Sequence, residues 1–309
     1  MKVFVTGATG FVGSFAVREL AARGHDVAVL ARASSDAWRL EGLETLRRVA
    51  GDLADEGSYA EGLRSFAPDC IVHAAWTGVA NHDRNDPRQV ANVAQAGALV
   101  RTAAEAGAKA FVGFGSQAEY GPRPDRSRED VVLAPTTLYG AAKVAALHVS
   151  RVQCELAGMR FAWLRLFSTY GPRDEAYWML PQLILRLLRG ERPALTKGIQ
   201  QWDYCHVADT ARAIAAVVES PNAAGAFNVG AGSTQSIRQI AEWIRDEAAP
   251  GAPLGFGEVP YRPDQVMHLE ADTTRLREAT GWAPRVPLDE GLRETVDWYR
   301  RNRERHDNH

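Results

Sequence analysis

Three glycines near the start of the chain constrain its fold more than any other feature. Gly7, Gly10 and Gly13 follow an apolar run at residues 2–6 and open a segment of helical periodicity at 11–23. The first glycine permits a tight turn, the second lets the backbone approach a pyrophosphate, and the third allows close packing of helix on strand. Because the N-terminus of such a helix faces the anion, this spacing predicts a dinucleotide-binding loop.

Beyond this loop, the first half of the chain alternates short apolar runs with stretches of helical periodicity. Such alternation is typical of a parallel sheet covered by helices on both faces. We therefore predict an α/β fold, with a Rossmann-type doubly wound parallel sheet at residues 1–167. A smaller C-terminal α/β substrate-binding lobe is formed mainly by 168–309, and 207–229 packs back on the sheet. The predicted strands are 2–6, 26–31, 46–50, 70–74, 110–115 and 161–166. The predicted helices are 11–23, 87–106, 139–155 and 207–219.

The composition narrows the class of partners. The 309 residues carry a formal net charge of −2, so no broad basic surface indicates nucleic acid. No apolar run reaches the length of a membrane span and no signal peptide precedes the first strand, so we expect a cytoplasmic protein without a membrane partner. Cys70, Cys154 and Cys205 are scattered without metal-ligand spacing. They are expected to be buried reduced thiols, and no metal site is predicted.

The end of the second predicted strand indicates which dinucleotide binds. An NAD enzyme usually has Asp or Glu there, which accepts hydrogen bonds from the ribose hydroxyls. Here no carboxylate occurs before Asp36, and Arg32 is followed by Ser34 and Ser35. A guanidinium and two hydroxyls suit a 2′-phosphate, so the sequence favours NADP(H), with NAD(H) as the alternative. Asp52, after the third strand, is either an adenine contact or a turn residue.

Tyr139 and Lys143 stand four residues apart on one face of a predicted helix. A phenol has an ordinary pKa of about 10 and is a poor proton carrier at neutral pH, but a neighbouring ammonium stabilises the phenolate and lowers that pKa. Ser116 follows the strand at 110–115, at the edge where open α/β sheets bind ligands. We therefore predict that Ser116 holds the reacting oxygen while Tyr139 exchanges its proton.

With the glycine loop, these residues give the chain a resemblance to the extended short-chain dehydrogenases/reductases. The likeness is to the branch of NAD(P)-dependent nucleotide-sugar epimerases, dehydratases and ketoreductases, and it covers nearly the whole chain. The type is closest to a 4-ketoreductase of nucleotide-linked 4-keto-6-deoxyhexoses. The motifs that carry it are 7–13 (GATGFVG), 73–75 (HAA), Asn92, 115–121 (GSQAEYG), Tyr139 with Lys143, 165–172 (RLFSTYGP), 202–209 (WDYCHVAD), 227–230 (FNVG), 262–264 (RPD) and 281–284 (GWAP).

The resemblance implies roles for individual residues. Ser116, Tyr139 and Lys143 form the catalytic triad, and Lys143 also bonds the nicotinamide ribose. Arg262 grips the substrate's diphosphate, which suits a guanidinium. The predicted cofactor-binding residues are Gly7, Thr9, Gly10, Phe11, Val12, Gly13, Arg32, Ser34, Ser35, Asp52, Leu53, Ala74, Ala75, Trp76, Asn92, Tyr139, Lys143 and Leu166. The predicted substrate-binding residues are Trp76, Gln117, Ser168, Tyr177, Trp202 and Arg262.

The chain departs from its relatives directly after the predicted catalytic serine. Related 4,6-dehydratases have an Asp-Glu pair there, which moves protons, whereas this chain has Gln117 and Ala118. Neither side chain is an acid or a base, so dehydration is disfavoured, and sugar-acid decarboxylation with it. Glu119 is expected to point to the other side of an extended segment. Trp202 replaces the usual Arg and Ser168 replaces a frequent Asn, which leaves the substrate less defined.

The sequence thus favours an NADPH-dependent 4-ketoreductase of a nucleotide-linked 4-keto-6-deoxyhexose, acting in deoxysugar biosynthesis. Reduction and epimerisation both need only the triad, and the preference for NADP(H) favours reduction, because an epimerase recycles tightly held NAD⁺. The alternatives are an NAD-dependent nucleotide-sugar 4-epimerase, a reductase of a non-sugar ketone and a non-catalytic NADP(H)-binding protein. In relatives the helices matching 87–106 and 139–155 pair between subunits, so we expect a homodimer.

Overall fold

The computed structural model describes residues 1–43, 46–262 and 265–305, so Pro263 and Asp264 of the 262–264 motif lie outside it. The described strands are β1 (Lys2–Thr6), β2 (Asp26–Ala31), β3 (Arg47–Ala50), β4 (Cys70–His73), β5 (Ala110–Ser116), β6 (Arg160–Leu166), β7 (Ser168–Tyr170), β8 (Ala194–Leu195), β9 (Gln201–Trp202), β10 (Tyr204–His206), β11 (Gly225–Val229), β12 (Gln235–Ser236), β13 (Gly255–Phe256) and β14 (His268–Leu269). The described α-helices are α1 (Phe11–Ala22), α2 (Glu56–Phe66), α3 (Gln89–Glu105), α4 (Leu138–Leu156), α5 (Met179–Leu188), α6 (Val207–Glu219), α7 (Ile237–Ala248), α8 (Thr274–Thr280) and α9 (Leu288–Arg301).

Seven strands form one parallel sheet in the order β11-β6-β5-β4-β1-β2-β3. Strands β2 and β3 follow β1 on one side of it, and the chain then crosses to the other side, where β4, β5 and β6 follow. A crevice therefore opens between β1 and β4 at their carboxyl ends. The register sets Thr6 beside His73 across this point, and Ser116 beside Leu166 on the next pair of strands. The predicted Rossmann-type sheet is confirmed.

Side chains from the two faces of the sheet enter separate apolar clusters. Val5 and Leu164 lie on one side with Leu20 of α1, whereas Phe4 and Phe111 lie on the other. Successive residues of a strand point to opposite faces, and a central parallel strand buries both. Helices α1 and α6 pack together on the first face, and α2, α3 and α4 on the second. Each large apolar side chain buried in this way contributes roughly 1.5–3 kcal/mol.

The predicted strands and helices of the sheet agree with the structure to within one residue at each end, except that α3 begins two residues later than predicted. Helix α2 has no counterpart among the predicted elements. Tyr59, Leu63 and Phe66 form its buried face at helical spacing. Its N-cap, Asp55, accepts a hydrogen bond from the amide of Gly57 at 3.1 Å. A glycine in the first turn and a polar composition weaken the helical signal of this segment.

Residues after β6 surround a separate apolar cluster, in which Ile184 of α5, Ile244 of α7 and Val296 of α9 are fully buried. The short strands pair as β7 with β10, β8 with β13, and β9 between β12 and β14. Helix α6 and strand β11 instead join the main sheet, where α6 packs against α1 and β11 pairs with β6. The division of the chain into two lobes after residue 167 stays a prediction.

Cys70, Cys154 and Cys205 are buried free thiols, as predicted. In the part of the chain that the structure describes, no helix combines the length and the apolar character needed to cross a membrane. The same residues contain no group of three or more His, Cys, Asp or Glu side chains placed to hold a metal ion.

Candidate active site

A cleft of about 910 Å³ opens at the carboxyl ends of the sheet strands and is also lined by α5 and by segments of the C-terminal part. All the predicted catalytic and substrate-binding residues line it. The predicted cofactor-binding residues line it too, except Ser34 and Asn92. Small-molecule sites span roughly 300–1,000 Å³, so this cleft lies at the upper end of that range and suits two ligands side by side.

The glycine loop is shaped for close contact with a ligand. Gly7 has a φ of +70°, and a Cβ atom there would lie 2.5 Å from the nitrogen of Ala75. A Cβ atom on Gly13 would overlap the carbonyl oxygen of Gly7, so helix and strand end can approach only without it. Gly10 begins α1 without a side-chain cap, and no acidic residue lies in the first turn. The main-chain amides at the start of α1 can therefore bind diphosphate oxygens, as binding of a dinucleotide requires.

A buried pair of side chains holds the segment that faces this loop. The hydroxyl of Thr6 shares a hydrogen bond with Nδ1 of His73 at 2.8 Å and accepts one from the amide of Ala75 at 3.3 Å. Burial and the nearby charge of Lys143 lower the pKa of His73 to about 3, so its imidazole is neutral. Ala74 and Ala75 are thereby fixed in the wall of the cleft.

Arg32 and Asp52 follow the carboxyl ends of the neighbouring strands β2 and β3, and both line the cleft. Nη1 of Arg32 is 4.0 Å from Oδ2 of Asp52, and the two side chains are 62% and 48% exposed. Asp52 also accepts a hydrogen bond from the amide of Ala54 at 3.0 Å, so it acts as a turn residue. Ser35 lines the cleft, whereas Ser34, predicted as a cofactor contact, does not. The end of β2 thus offers a cation and a hydroxyl but no carboxylate.

Ser116 and Tyr139 meet because α4 begins against the turn that follows β5. A Cβ atom on Gly140 would lie 2.5 Å from the carbonyl oxygen of Ala118, so glycine permits this contact. The side chains of Ser116 and Tyr139 both line the cleft at this junction. Burial raises the pKa of Tyr139, while the Ser116 side chain, as a hydrogen-bonding neighbour, and the charge of Arg84 lower it. Two of the predicted catalytic groups therefore act on one another directly.

The ammonium of Lys143 is buried one turn further along α4. Its Nζ donates to the carbonyl oxygen of Phe114 at 2.6 Å and lies 3.6 Å from the centroid of the Trp76 ring. The distance from Nζ to the ring centroid of Tyr139 is 5.7 Å. Burial lowers the pKa of Lys143 to about 7. At neutral pH the amine is therefore only partly protonated, which a spacing of four residues does not reveal.

Glu119 lies beneath Ser116 in a closed ion pair. Its carboxylate accepts hydrogen bonds from the amide of Ser116 at 2.9 Å, from Nε1 of Trp163 at 2.9 Å and from Nε of Arg165 at 2.8 Å. The side chains of Glu119 and Arg165 are 0% and 4% exposed. Glu119 does not line the cleft, so it holds the backbone of Ser116 in place and moves no proton there.

Two buried amides shape the segment between β4 and α3. The side chain of Gln89 accepts from Nε1 of Trp76 at 2.8 Å and donates to the carbonyl oxygen of Asp83 at 3.1 Å. Asn92 accepts from the amide of Thr77 at 2.9 Å and donates to its carbonyl oxygen at 3.0 Å. Both polar atoms of Asn92 bind Thr77, and Asn92 itself does not line the cleft, so its side chain supports this segment and its contact with the cofactor stays a prediction.

At the substrate end of the cleft, the two departures from the family pattern form one contact. Nε1 of Trp202 donates to Oγ of Ser168 at 2.7 Å. This bond fixes the indole in the cleft, whose lining also includes Gln117, Tyr177 and Arg262. The lining thus combines aromatic surface with cationic side chains.

The model of the NAD dependent epimerase/dehydratase family matches residues 3–230. The chain belongs to this family. Two curated relatives, the dTDP-glucose 4,6-dehydratases of Streptomyces niveus and Streptomyces griseus, are each 30% identical, over 98% and 97% of this chain and 94% of their own. A UDP-glucose 4-epimerase structure from Thermotoga maritima, solved with UDP-glucose, has a TM-score of 0.89 at 25% identity and covers 98% of this chain and 99% of its own. One from Thermus thermophilus, in complex with NAD, has a TM-score of 0.87 at 28% identity, with 97% and 99% covered.

Membership of the epimerase/dehydratase family confirms the predicted class, an oxidoreductase-type enzyme of the extended short-chain dehydrogenases/reductases. Its name also states dependence on NAD. Membership of the family does not distinguish NADP(H) from NAD(H) or a ketoreductase from an epimerase. The preference for NADP(H) and the ketoreductase activity therefore stay predictions.

Three side chains at or near the cleft of this family member lie outside every predicted motif. Arg84 lines the cleft from an irregular segment, where no periodicity marks it. Asp174 also lines the cleft, and burial raises the pKa of its carboxyl well above the ordinary range. Arg39 donates to the carbonyl oxygens of Thr9 at 3.5 Å and Arg173 at 2.9 Å, which ties the glycine loop to the segment after β7. Only Asp174, two residues past the 165–172 motif, has a sequence signal nearby.

Proposed function

We propose that this enzyme is an NADPH-dependent 4-ketoreductase that acts on a nucleotide-linked 4-keto-6-deoxyhexose. The observation that carries the proposal is the set of groups around the predicted reacting carbon. Ser116, Tyr139 and Lys143 line the cleft together, whereas Gln117 and Ala118 occupy the positions of the dehydratase acid–base pair. Reduction of one carbonyl needs only the first three groups.

Dehydration lacks a proton carrier in this arrangement. Elimination of water across two sugar carbons needs an acid and a base beside the ring. Glutamine and alanine supply neither, and the carboxylate of Glu119 is engaged with Arg165 outside the cleft. The proposal therefore differs from the activity for which the two Streptomyces relatives are named.

In the proposed reaction, the protein groups act on the substrate's carbonyl oxygen. A bound reduced nicotinamide supplies the hydride to the carbonyl carbon. Ser116 donates a hydrogen bond to the oxygen, and Tyr139 transfers its phenolic proton to it as the carbon becomes tetrahedral. The product is a secondary alcohol, and the phenolate regains a proton from solvent. Lys143, when protonated, stabilises that phenolate.

The charge at the end of β2 supports NADPH as the cofactor. Arg32 presents an exposed guanidinium there, and Ser35 lines the cleft close by in sequence. A guanidinium binds the 2′-phosphate that distinguishes NADP(H) from NAD(H). An exposed ion pair is worth about 1 kcal/mol or less, so the 4.0 Å contact with Asp52 does not prevent Arg32 from turning to a phosphate.

The nucleotide-linked substrate is supported by the extent of the cleft and by the relatives. The cleft continues from the glycine loop past Tyr139 to Arg262, whose guanidinium suits a diphosphate. The relatives described above are named for dTDP-glucose and UDP-glucose. Trp202 and Tyr177 add aromatic surface to the lining of this cleft, which suits the apolar face of a deoxygenated sugar.

A nucleotide-sugar 4-epimerase is the second candidate, because two neighbouring structures are UDP-glucose 4-epimerases. An epimerase oxidises and then re-reduces one carbon with the same Ser116 and Tyr139, so the groups on the protein do not separate the two reactions. They differ in the fate of the cofactor. An epimerase retains NAD⁺ through every turnover, whereas a ketoreductase consumes NADPH.

The proposed enzyme acts as a homodimer through α3 and α4. These helices pack against each other on one face of the sheet. Val90 of α3 and Val149, Val152 and Leu156 of α4 are exposed large apolar side chains. Large apolar side chains left exposed on two adjacent helices are consistent with a subunit interface. Sedimentation of the purified protein as a monomer would contradict the dimer.

Binding of NADPH against NADH by the purified protein, followed by a spectrophotometric assay, tests the proposed reaction. We expect tighter binding of NADPH and loss of its absorbance only when a 4-keto-6-deoxy nucleotide sugar is added. The matched control is Tyr139→Phe, which should bind NADPH without consuming it. Co-purified NAD⁺, with interconversion of a nucleotide sugar and no net loss of cofactor, would replace the ketoreductase by the epimerase.

A further inference from the structure

Tyr139 has a second cation beside it, contributed by a segment without a motif. Arg84 lies between β4 and α3 and lines the cleft, and its guanidinium carbon is 5.5 Å from the centroid of the Tyr139 ring. Its Nε is buried and has no hydrogen-bond partner within residues 1–43, 46–262 and 265–305. No carboxylate among these residues forms an ion pair with Arg84. A partly buried guanidinium in this state attracts an anion that forms nearby.

Main-chain bonds hold Arg84 at this distance. The amide of Tyr139 donates to the carbonyl oxygen of Arg84 at 2.8 Å, and the amide of Leu138 donates to Oδ1 of Asn85 at 3.1 Å. These are two of the first amides of α4, which lack partners within the helix. The segment therefore provides hydrogen-bond acceptors for the first amides of α4, and the same contact brings Arg84 next to the phenol of Tyr139.

The charged groups around Tyr139 differ in the pH range over which they stay charged. Burial lowers the pKa of Lys143 to about 7, so its charge fades at and above neutral pH, whereas a guanidinium stays protonated. Glu119, on the turn after β5, opposes the phenolate but is paired with Arg165. Burial, and also the charge of Arg262 in the C-terminal part, lower the pKa of the Arg84 guanidinium from its ordinary value of 12.5.

We infer that Arg84 is the permanent cation that stabilises the Tyr139 phenolate, with Lys143 as the pH-dependent contributor. Arg84 is a positioning residue in this account, because it acts through Tyr139. The inference rests on the proposed function, in which Tyr139 exchanges a proton with the substrate oxygen. It extends that function by assigning the electrostatic activation of the phenol to the segment before α3 rather than to α4 alone.

An ultraviolet titration of the phenolate tests this inference without a substrate. The spectrum of the full-length protein, saturated with cofactor, is recorded against pH, and the spectrum of Tyr139→Phe is subtracted. We expect Arg84→Met to move the midpoint of the Tyr139 signal upward by about one pH unit or more, because an opposite charge at this range shifts a pKa by roughly 1–3 units. Arg84→Lys, which keeps the charge, should restore most of that shift.

The matched control is Arg88→Met, which removes an arginine of the same segment that is 70% exposed and paired with Asp86. It should leave the midpoint at the wild-type value. An unchanged midpoint in Arg84→Met, or an equal shift in Arg84→Lys, would overturn the inference. Because no substrate is used, failure of the proposed reduction would leave this result intact. Where reduction is observed, the pKa at which kcat falls on the alkaline side of its pH profile should be higher in Arg84→Met, by the same amount as the spectroscopic midpoint.

Discussion

Two charge clusters, one beneath the cleft and one in its lining, are built in opposite ways. Glu119 and Arg165 form an ion pair, and Ser116 and Trp163 satisfy the remaining carboxylate positions. Around Tyr139, by contrast, Lys143 and Arg84 bring like charges together, and neither forms an ion pair within the described residues. The first cluster cancels its charge, whereas the second accumulates a positive potential.

This difference separates the group that holds the geometry from the groups that do the chemistry. A closed, fully hydrogen-bonded pair gives a rigid support, because removing either partner leaves a buried charge. Unpaired cations that are wholly or partly buried instead cost stability, and they are kept where an oxyanion forms. The phenolate of Tyr139 is such an anion in the proposed reaction, and it forms next to both cations.

The largest effect is expected when the phenol itself is removed. Tyr139→Phe should lower kcat by about 10³-fold or more, because the proton donor to the substrate oxygen is lost. NADPH binding and the free energy of unfolding should change little, since the ring still packs beside Trp76. Steady-state turnover and cofactor titration check this. Substantial turnover in the variant would remove Tyr139 from the mechanism.

Breaking the closed pair should instead act on stability. Glu119→Gln leaves Arg165 buried without its counter-ion, so the free energy of unfolding should fall by about 3–5 kcal/mol in denaturant titration. The control is Glu19→Gln, at an exposed pair with Arg23, which should cost less than about 1 kcal/mol. Equal losses in the two variants would show that the Glu119 pair is no more valuable than a surface one.

The uncompensated charge of Lys143 predicts a pH-dependent difference in stability. In the unfolded chain this amine titrates near its ordinary pKa of 10.5, and in the folded protein burial lowers that pKa to about 7. Between these values the unfolded state binds more protons, so the stability of the wild type rises with pH.

Lys143→Met lacks this linkage. Its stability relative to wild type should therefore fall as pH rises above 7, by up to about 1.4 kcal/mol per pH unit. Denaturant titrations of both proteins between pH 7 and the alkaline limit of the assay measure the difference. Parallel curves would mean that the buried amine keeps its ordinary pKa.

The smallest effect concerns the exposed cation at the other end of the cleft. Arg32→Ala should weaken NADPH by about tenfold and leave NADH nearly unchanged, because only the 2′-phosphate needs the guanidinium. Dissociation constants for the two cofactors, measured on the same preparations, provide the internal control. An equal loss for both would place Arg32 outside the phosphate site.

Several features follow from the sequence because they depend on short-range geometry. The spacing of Gly7, Gly10 and Gly13 determines a turn that no side chain can enter. Apolar runs separated by helical segments determine a parallel sheet, and the carboxyl ends of its strands then bring Ser116 near the helix of Tyr139 and Lys143. Each of these inferences needs only local periodicity and the general rules of α/β sheets.

Other features were decided only by tertiary structure, because they depend on burial and on contacts between distant segments. The charge of Lys143 depends on its desolvation beneath Trp76, and the pairing of Trp202 with Ser168 joins strands more than thirty residues apart. The hydrogen bonds of Asn92, predicted as a cofactor contact, run to Thr77, fifteen residues earlier in the chain. Arg84 has no motif at all, and only the packing of its segment against the start of α4 brings its charge to the phenol.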